Sequence, residues 1–521
     1  MTRAIAVRIL ALAAGIGLIT QALLLDNLFG VNIPILSACL LAGAYVARPA
    51  GQRIDRLDLW LPAAAMALSL AVAVRADPTL LVLDLGAACA LLGASMAAIA
   101  GEAVTRRSAL RVVELGLLVL GWAGIGMLRV TAAAKRLGGP SAGDRLFPAI
   151  PPWAGAVGRG LLIAIPLLVV FGSLFSAADT VFDRLMGRLF TWQVELGEVP
   201  IRLAVAFLVA WAVAGLLAVA SGVLVVDDAG PMARAGEPLP QSLGAAALGL
   251  PDSGDRASAG PSLRLGAIES ATILVAVDVL FAIFVVLQVA YLFGGQDTLA
   301  ATGLPYAQYA RSGFFELVAV AFLAGGLLVA IHAIAARRTS VLVAAGLTLA
   351  ALTAVVLASA LLRLRIYQDA YGWTELRFYV LATIVWLAIG IGITMVLLAR
   401  DRMGWLLHGL AIAAVVVLVG MNVVGPSRLI AEENVARVLN PALVPADGKS
   451  GLDVSYATRL GDDAIPALVR ALPALAPRDR LELRGELIRR RDALEDRTAT
   501  GWPSWNLGRE LARDALATLG R

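Results

Sequence analysis

The apolar residues of this chain are gathered into blocks of about 17 to 25 residues with little or no charge, the length an α-helix needs to cross roughly 30 Å of hydrocarbon. Lipid offers no hydrogen bonds, so a block of this kind must satisfy its own backbone N–H and C=O groups, and repeated blocks imply a bundle of spanning helices. Composition agrees: of 521 residues, 60% are hydrophobic and only 16% charged, where a soluble protein carries about a quarter charged. The expected fold class is all-α, a polytopic transmembrane helix bundle of about 11 to 12 crossings with a small C-terminal soluble helical domain.

Four segments follow from where the blocks lie. Residues 1–226 carry the N-terminal membrane helices, 227–268 a loop rich in Gly, Pro and Ala, 269–425 the C-terminal membrane helices and 426–521 a soluble helical domain. Met1 to Leu25 has Arg3 and Arg8 before its apolar run but no small-x-small cleavage site, and reads as the first membrane helix. Asp227 to Leu265 has too little apolar surface to offset its ordering entropy and is expected to be disordered. In the tail, helices are expected over Ser427–Leu439, Gly461–Leu475, Arg478–Arg497 and Pro503–Leu519, with a short extended piece at Asp453–Tyr456.

The block Ala109–Leu128 is the weakest, because Arg111 and Glu114 interrupt it. Basic residues gather on the cytoplasmic side of membrane proteins, which gives a test. With twelve crossings and the N-terminus inside, basic residues divide about 15 inside to about 13 outside; if Ala109–Leu128 does not cross, the division becomes about 20 to about 8. Eleven crossings, or twelve with a break, therefore fit better, and the C-terminal segment is expected to be extracytoplasmic.

Several function classes lack their signatures. The net charge of +5 comes from arginines at the ends of apolar blocks, with lysine only at Lys135 and Lys449, so no basic face for nucleic acid is seen. Cys39 and Cys89 lie inside apolar blocks, and His332 and His408 stand far apart without ligand spacing, so no metal site is expected. No phosphate-cradling glycine loop and no serine elbow occurs, and no cofactor is expected. The partners implied are the lipid bilayer and a small-molecule or lipid-linked ligand.

Two groups of residues are candidates for chemistry. Asp278 lies about eight residues inside an apolar span, where an unpaired carboxylate costs roughly 2.5 kcal/mol or more. The string Tyr306–Leu317 leads into another span, and at 100° per residue Tyr309, Gly313 and Glu316 fall within about 40° of one another. Asp278, Tyr309 and Glu316 are thus the candidates for a polar path, against the plainer reading of an interfacial tyrosine belt. Asp84 and Glu114 are shallower and read as helix-end charges. Between Arg363 and Tyr379, polar and aromatic residues occupy every second position, which predicts an extended or hairpin-like connector with Gly372 as its turn. Arg363, Arg365, Asp369, Glu375 and Arg377 of that connector are candidates for an interfacial site.

Several of these strings carry a family resemblance: LFGVNIP at Leu28–Pro34, FSAADTVF at Phe175–Phe182, YLFGG at Tyr291–Gly295, YAQYARSGFFEL at Tyr306–Leu317 and YQDAYGWTELR at Tyr367–Arg377, with Asn434–Arg437 and Trp505–Arg509 in the tail. The chain resembles a bacterial family of multi-pass membrane proteins of unknown function, the domain-of-unknown-function 4153/4173 group, with Trp373 standing where that pattern has leucine. The resemblance implies a bacterial inner or plasma membrane location and brings no catalytic residues. Three functions remain open: a transporter, channel or transport-linked subunit with a polar path; a membrane-embedded enzyme acting on a lipid-linked or envelope substrate; and a noncatalytic envelope scaffold or sensor.

Overall fold

Glycine, proline and short polar caps decide where the apolar blocks stop being helix. A computed structural model describes residues 3–48, 53–106, 109–135, 198–223, 267–293, 314–335, 338–445, 451–496 and 501–520, with Gly51 and Gly448. The regular structure among them is helical. The expected loop 227–265 and residues 158–175, a further apolar block expected to span the membrane, lie outside the described residues.

The apolar helices are α1 (Arg3–Leu24), α2 (Asn32–Ala47), α3 (Trp60–Val74), α4 (Pro78–Ile99), α5 (Ala109–Lys135), α6 (Glu198–Ala218), α7 (Ala267–Phe293), α8 (Phe314–Ile334), α9 (Ser340–Tyr371), α10 (Glu375–Ala399) and α11 (Leu406–Val424). Among the described residues, 7 helices are long and apolar enough to cross a membrane, and α2, α5, α7 and α8 contribute shorter described apolar stretches. Large side chains such as Val82, Leu280, Leu323 and Val423 are exposed on these helices, as suits a surface whose solvent is lipid.

The chain divides into two compact units. In the first, Met1–Leu25 and Ala123–Ala218, α1 packs on α6 with almost no gap: a Cβ added to Gly17 would stand 2.4 Å from the Ala206 carbonyl oxygen. Small residues permit this approach of two backbones. Trp211 Nε1 donates to the Gly124 carbonyl at 2.6 Å.

The second unit, Asp26–Trp122 and Val219–Arg521, contains two packed groups of membrane helices. Leu61, Ala65, Leu68, Leu80, Leu91 and Leu418 join α3, α4 and α11, while Leu274, Leu317, Leu349, Leu357, Leu364 and Ile384 belong to the cores among α7, α8, α9 and α10. One end of this unit is fixed by Asp58, which accepts from Val104 N at 3.0 Å and Thr105 N at 2.8 Å. There His408 Nε2 lies 3.0 Å from the Val104 carbonyl, and Arg338 donates to the Leu398 carbonyl at 2.6 Å.

The other end carries the C-terminal helices α12 (Pro426–Leu439), α13 (Val454–Ala457), α14 (Ile465–Ala471), α15 (Pro477–Asp496) and α16 (Leu507–Ala517). They share an apolar core that includes Ile430, Leu460, Leu468, Leu487 and Leu516 and extends to Phe378 of α10. The expected extended piece at Asp453–Tyr456 is instead a helical turn, because the Asp453 carboxylate accepts from Tyr456 N at 2.9 Å and so caps α13.

The larger correction concerns residues 363–377. Arg363 to Tyr371 form the last turns of α9, a helix of 32 residues, and only Gly372 to Thr374 are non-helical before Glu375 opens α10. Alternation of polar residues misled because the buried positions in these last turns are Arg363, Leu364, Gln368 and Ala370, a spacing that belongs to a helix face. Gly372 is the turn as expected, with φ of +78° ending α9, a conformation that favours glycine.

Candidate functional site

Among the described residues, a buried polar cluster lies where the turn between α3 and α4 meets the C-terminal helices. Asp77 caps α4 by accepting from Leu80 N at 2.9 Å, and Pro78 supplies the first helical residue, which has no N–H to satisfy. The same carboxylate accepts from the Tyr379 hydroxyl of α10 at 3.3 Å and from the Ser427 hydroxyl of α12 at 2.5 Å. Ser427 also lies against the Leu460 carbonyl. A single N-cap residue thereby joins α4, α10 and α12.

Arg75 closes α11 from the side. Its Nε donates to the Asn422 carbonyl at 2.5 Å and its Nη2 to the Val423 carbonyl at 2.9 Å. These carbonyls lie in the last turn of α11, where a cation also meets the negative end of the helix dipole. Gly425 follows with φ of +72°, and a Cβ there would come within 2.9 Å of Arg75 Nη1, so backbone and space both require glycine.

The tail grips the same turn from outside the bundle. Asn506 Nδ2 donates to the carbonyls of Val72 and Arg75, both at 2.8 Å. Asp463 accepts from Ala76 N at 3.1 Å. Burial pushes the Asp463 carboxyl up to about 6, against the opposing pull of the Ala76 N–H and Arg75. One helical step away, Val31 N donates to the Trp505 carbonyl at 2.9 Å, which binds the entry of α2 to the same segment.

Deeper on α4, the Asp84 carboxylate accepts from Asn422 Nδ2 of α11 at 2.9 Å. Asp84 is 1% exposed, so it is no helix-end charge of the kind the sequence suggests. The pairing crosses more than three hundred residues, and no local pattern announces it. What the sequence does offer is Asp77-Pro78, the N-cap and N1 pair of a helix start, and Gly425-Pro426, the matching stop and start.

The candidate path residues are placed unequally. Asp278 is buried on α7 at 8% exposure, its Oδ1 without a hydrogen-bond partner. Ser270, two turns earlier, is also buried with its hydroxyl unpartnered. Tyr309 lies outside the described residues, and of Glu316 only the backbone, in the first turn of α8, is described.

The connector candidates gather at the α9–α10 turn, on the side of the C-terminal helices. Arg377 donates to the Tyr371 carbonyl at 3.2 Å and to the Gly372 carbonyl, and its guanidinium lies 3.9 Å above the Tyr367 ring. Arg365 lies 5.5 Å from the Trp373 ring centre. Arg437 of α12 donates to the carbonyls of Asp369 and Ala370, and Glu375 N donates to the Tyr456 hydroxyl at 2.8 Å. Burial raises the Tyr456 hydroxyl above its usual range. Arg363 is buried in α9. The guanidinium groups of Arg377 and Arg437 thus hold backbone in place. A separate apolar pocket of about 280 Å³ opens between α8, α9, α10 and α11, lined by Phe322, Gly325, Thr353, Trp386 and Gly390 among others, with no ionisable side chain.

A family model described as a domain of unknown function (DUF4153) matches residues 63–471, well over half of the chain. No curated protein matches it, and no solved structure does.

Proposed function

The chain belongs to the DUF4153 family of domains of unknown function, and from that premise, which carries no activity with it, we propose a transporter, channel or transport-linked subunit with a polar intramembrane path. The observation that carries this reading is Asp278, a buried carboxylate in an apolar helix with an oxygen that has no partner. Such a group costs roughly 2.5 to 3.5 kcal/mol at mid-membrane unless it is protonated, paired or facing water, and in transporters groups of this kind hold a proton or an ion. Ser270 extends the polar stripe toward one end of α7, and Tyr309 and Glu316 are proposed to continue it toward the other.

The same reading assigns eleven crossings. The end of α4 and the start of α7 lie at one end of the second unit: Val104 and Thr105 bond to Asp58, and Leu274 shares a core with Ile331 and Leu342, whereas Phe284 packs with Leu317 and Leu364 toward the other end. An even number of crossings between residues 100 and 267 is part of this proposal, and of the three apolar blocks there, 109–128, 158–175 and 201–226, the first is the one proposed not to cross alone. Arg48, Arg53, Arg56, Arg106, Arg338 and Arg400 lie at the end away from the tail, which favours a cytoplasmic position for that end and an extracytoplasmic one for residues 426–521 in a bacterial inner or plasma membrane.

Proteoliposomes holding the purified protein test the activity. Proton or cation flux that Asp278→Asn abolishes without lowering the melting temperature is the expected result; wild-type vesicles that leak no faster than empty ones would remove the reading. A second reading, a noncatalytic scaffold or sensor, gains from the hold of the C-terminal helices on three membrane turns. A lipid-linked or envelope enzyme ranks below both, because Arg377 and Arg437 at the α9–α10 turn already bond to backbone.

A further inference from the structure

Asp84 and Asn422 are both buried, at 1% and 9% exposure, on α4 and α11. The two N–H groups of the Asn422 amide are used, one on Asp84 Oδ1 at 2.9 Å and one on the Leu418 carbonyl at 3.0 Å. Two oxygens of the pair are left without a hydrogen-bond partner, Asp84 Oδ2 and Asn422 Oδ1. Both are acceptors, so what the pair lacks is a positive charge or a proton. A single amide donor does not compensate a carboxylate taken out of water.

Neighbouring groups do not supply that charge. Arg75 is the cation at this end of α11, and its guanidinium bonds to the carbonyls of Asn422 and Val423. The charged group that acts on Asp84 is Asp77 at the cap of α4, and Tyr379 of α10 lies within range of both carboxylates; neither is a cation. Asp463 of the tail, bound to Ala76 N, adds a further carboxyl. Asp77, Ser427 and the Tyr379 hydroxyl form a polar cluster at the turn itself, about 10 Å along α4 from Asp84.

We propose that Asp84 and Asn422 form a binding site for a monovalent cation, H⁺ or Na⁺, set roughly 10 Å along α4 from the α3–α4 turn at 1.5 Å per residue. If the cation is H⁺, it comes from water at the tail side and forms an O–H bond on Asp84 Oδ2. If it is Na⁺, the two unpartnered oxygens are ligands of the hard, oxygen-seeking kind such an ion takes. The site is independent of Asp278 and of the transport reading.

Full-length protein in lipid nanodiscs tests this with two readouts that involve no flux. The first is the melting temperature in NaCl against choline chloride at equal ionic strength. The second is the infrared carbonyl band of a protonated carboxyl, followed through a pH titration. Sodium-dependent stabilisation that Asp84→Asn removes assigns Na⁺; a titrating carboxyl band that the same variant removes assigns H⁺. If Asp84→Asn does not fold, Asp84→Glu and Asn422→Ala serve instead, and each should shift the sodium dependence or the band. Wild-type protein with neither signal, or signals that survive in the variants, would overturn the proposal.

Discussion

Asn434 holds both backbone groups of Trp373, donating from Nδ2 to its carbonyl at 2.9 Å and accepting its N–H at Oδ1 at 2.8 Å. One side-chain amide of α12 thus reads the only non-helical backbone between α9 and α10. The approach is close enough that a Cβ on Gly372 would stand 2.7 Å from Asn434 Oδ1. The membrane hairpin and the first tail helix are consequently built as one unit, with Arg437 bound to the last carbonyls of α9 a turn further on.

Asn434→Ala should therefore loosen the tail more than the bundle. Two part-buried backbone groups lose their partner, at a cost of about 1 to 3 kcal/mol. The expected outcome is a lower melting temperature and faster proteolytic release of the segment after residue 440, with the membrane part intact. A variant whose tail resists protease as the wild type does would show that the hydrophobic core around Ile430 and Leu468 holds the tail by itself.

Asp463 makes the tail contact depend on pH. Its carboxyl is raised from 3.8 to about 6, chiefly by burial. A carboxyl that binds its proton more tightly when folded stabilises the fold most below the unfolded value, and that contribution is lost as pH rises through the folded one. Between pH 4 and pH 7, on the order of the interval between those values, melting temperature should fall with rising pH. Asp463→Asn, which keeps an acceptor for Ala76 N and never ionises, should flatten that slope and be the more stable protein at neutral pH. Parallel pH profiles for the two proteins would remove Asp463 as the cause.

How much of this was legible in the sequence depends on how local its cause is. Spans such as Thr79–Ala100 and Ser340–Leu362 announce themselves through apolar length, and the helices of the tail through stripes such as Ile465, Leu468 and Leu472. Gly372 was readable as a turn because its neighbours offered no other place for one. The α9 extension was not, since beyond the membrane surface a helix has polar residues on every side and period two imitates period 3.6 over a few residues. The Asp84–Asn422 and Asp77–Ser427 pairs were beyond reach, because each joins residues hundreds apart whose meeting depends on how α4, α11 and α12 pack. Tyr309 and the side chain of Glu316 lie outside the described residues, and their place in a path stays a proposal.

The arrangement of turns makes topology testable at two exposed points. Trp502 is exposed beside the segment that grips Val72 and Arg75, and Asp401 is exposed in the turn between α10 and α11. The first belongs to the tail end of the second unit and the second to the opposite end, where Arg338 pairs with Asp401. In a protein with Cys39 and Cys89 replaced by serine, Trp502→Cys should react with a membrane-impermeant maleimide added to intact cells, and Asp401→Cys should react only after the membrane is opened. The sign follows from the basic residues around the second turn, Arg338, Arg400 and Arg402, which belong on the cytoplasmic side. Labelling of Asp401→Cys but not Trp502→Cys in intact cells would turn the molecule over while leaving the helix packing as described. Labelling of both from one side would contradict the placing of these two turns at opposite ends.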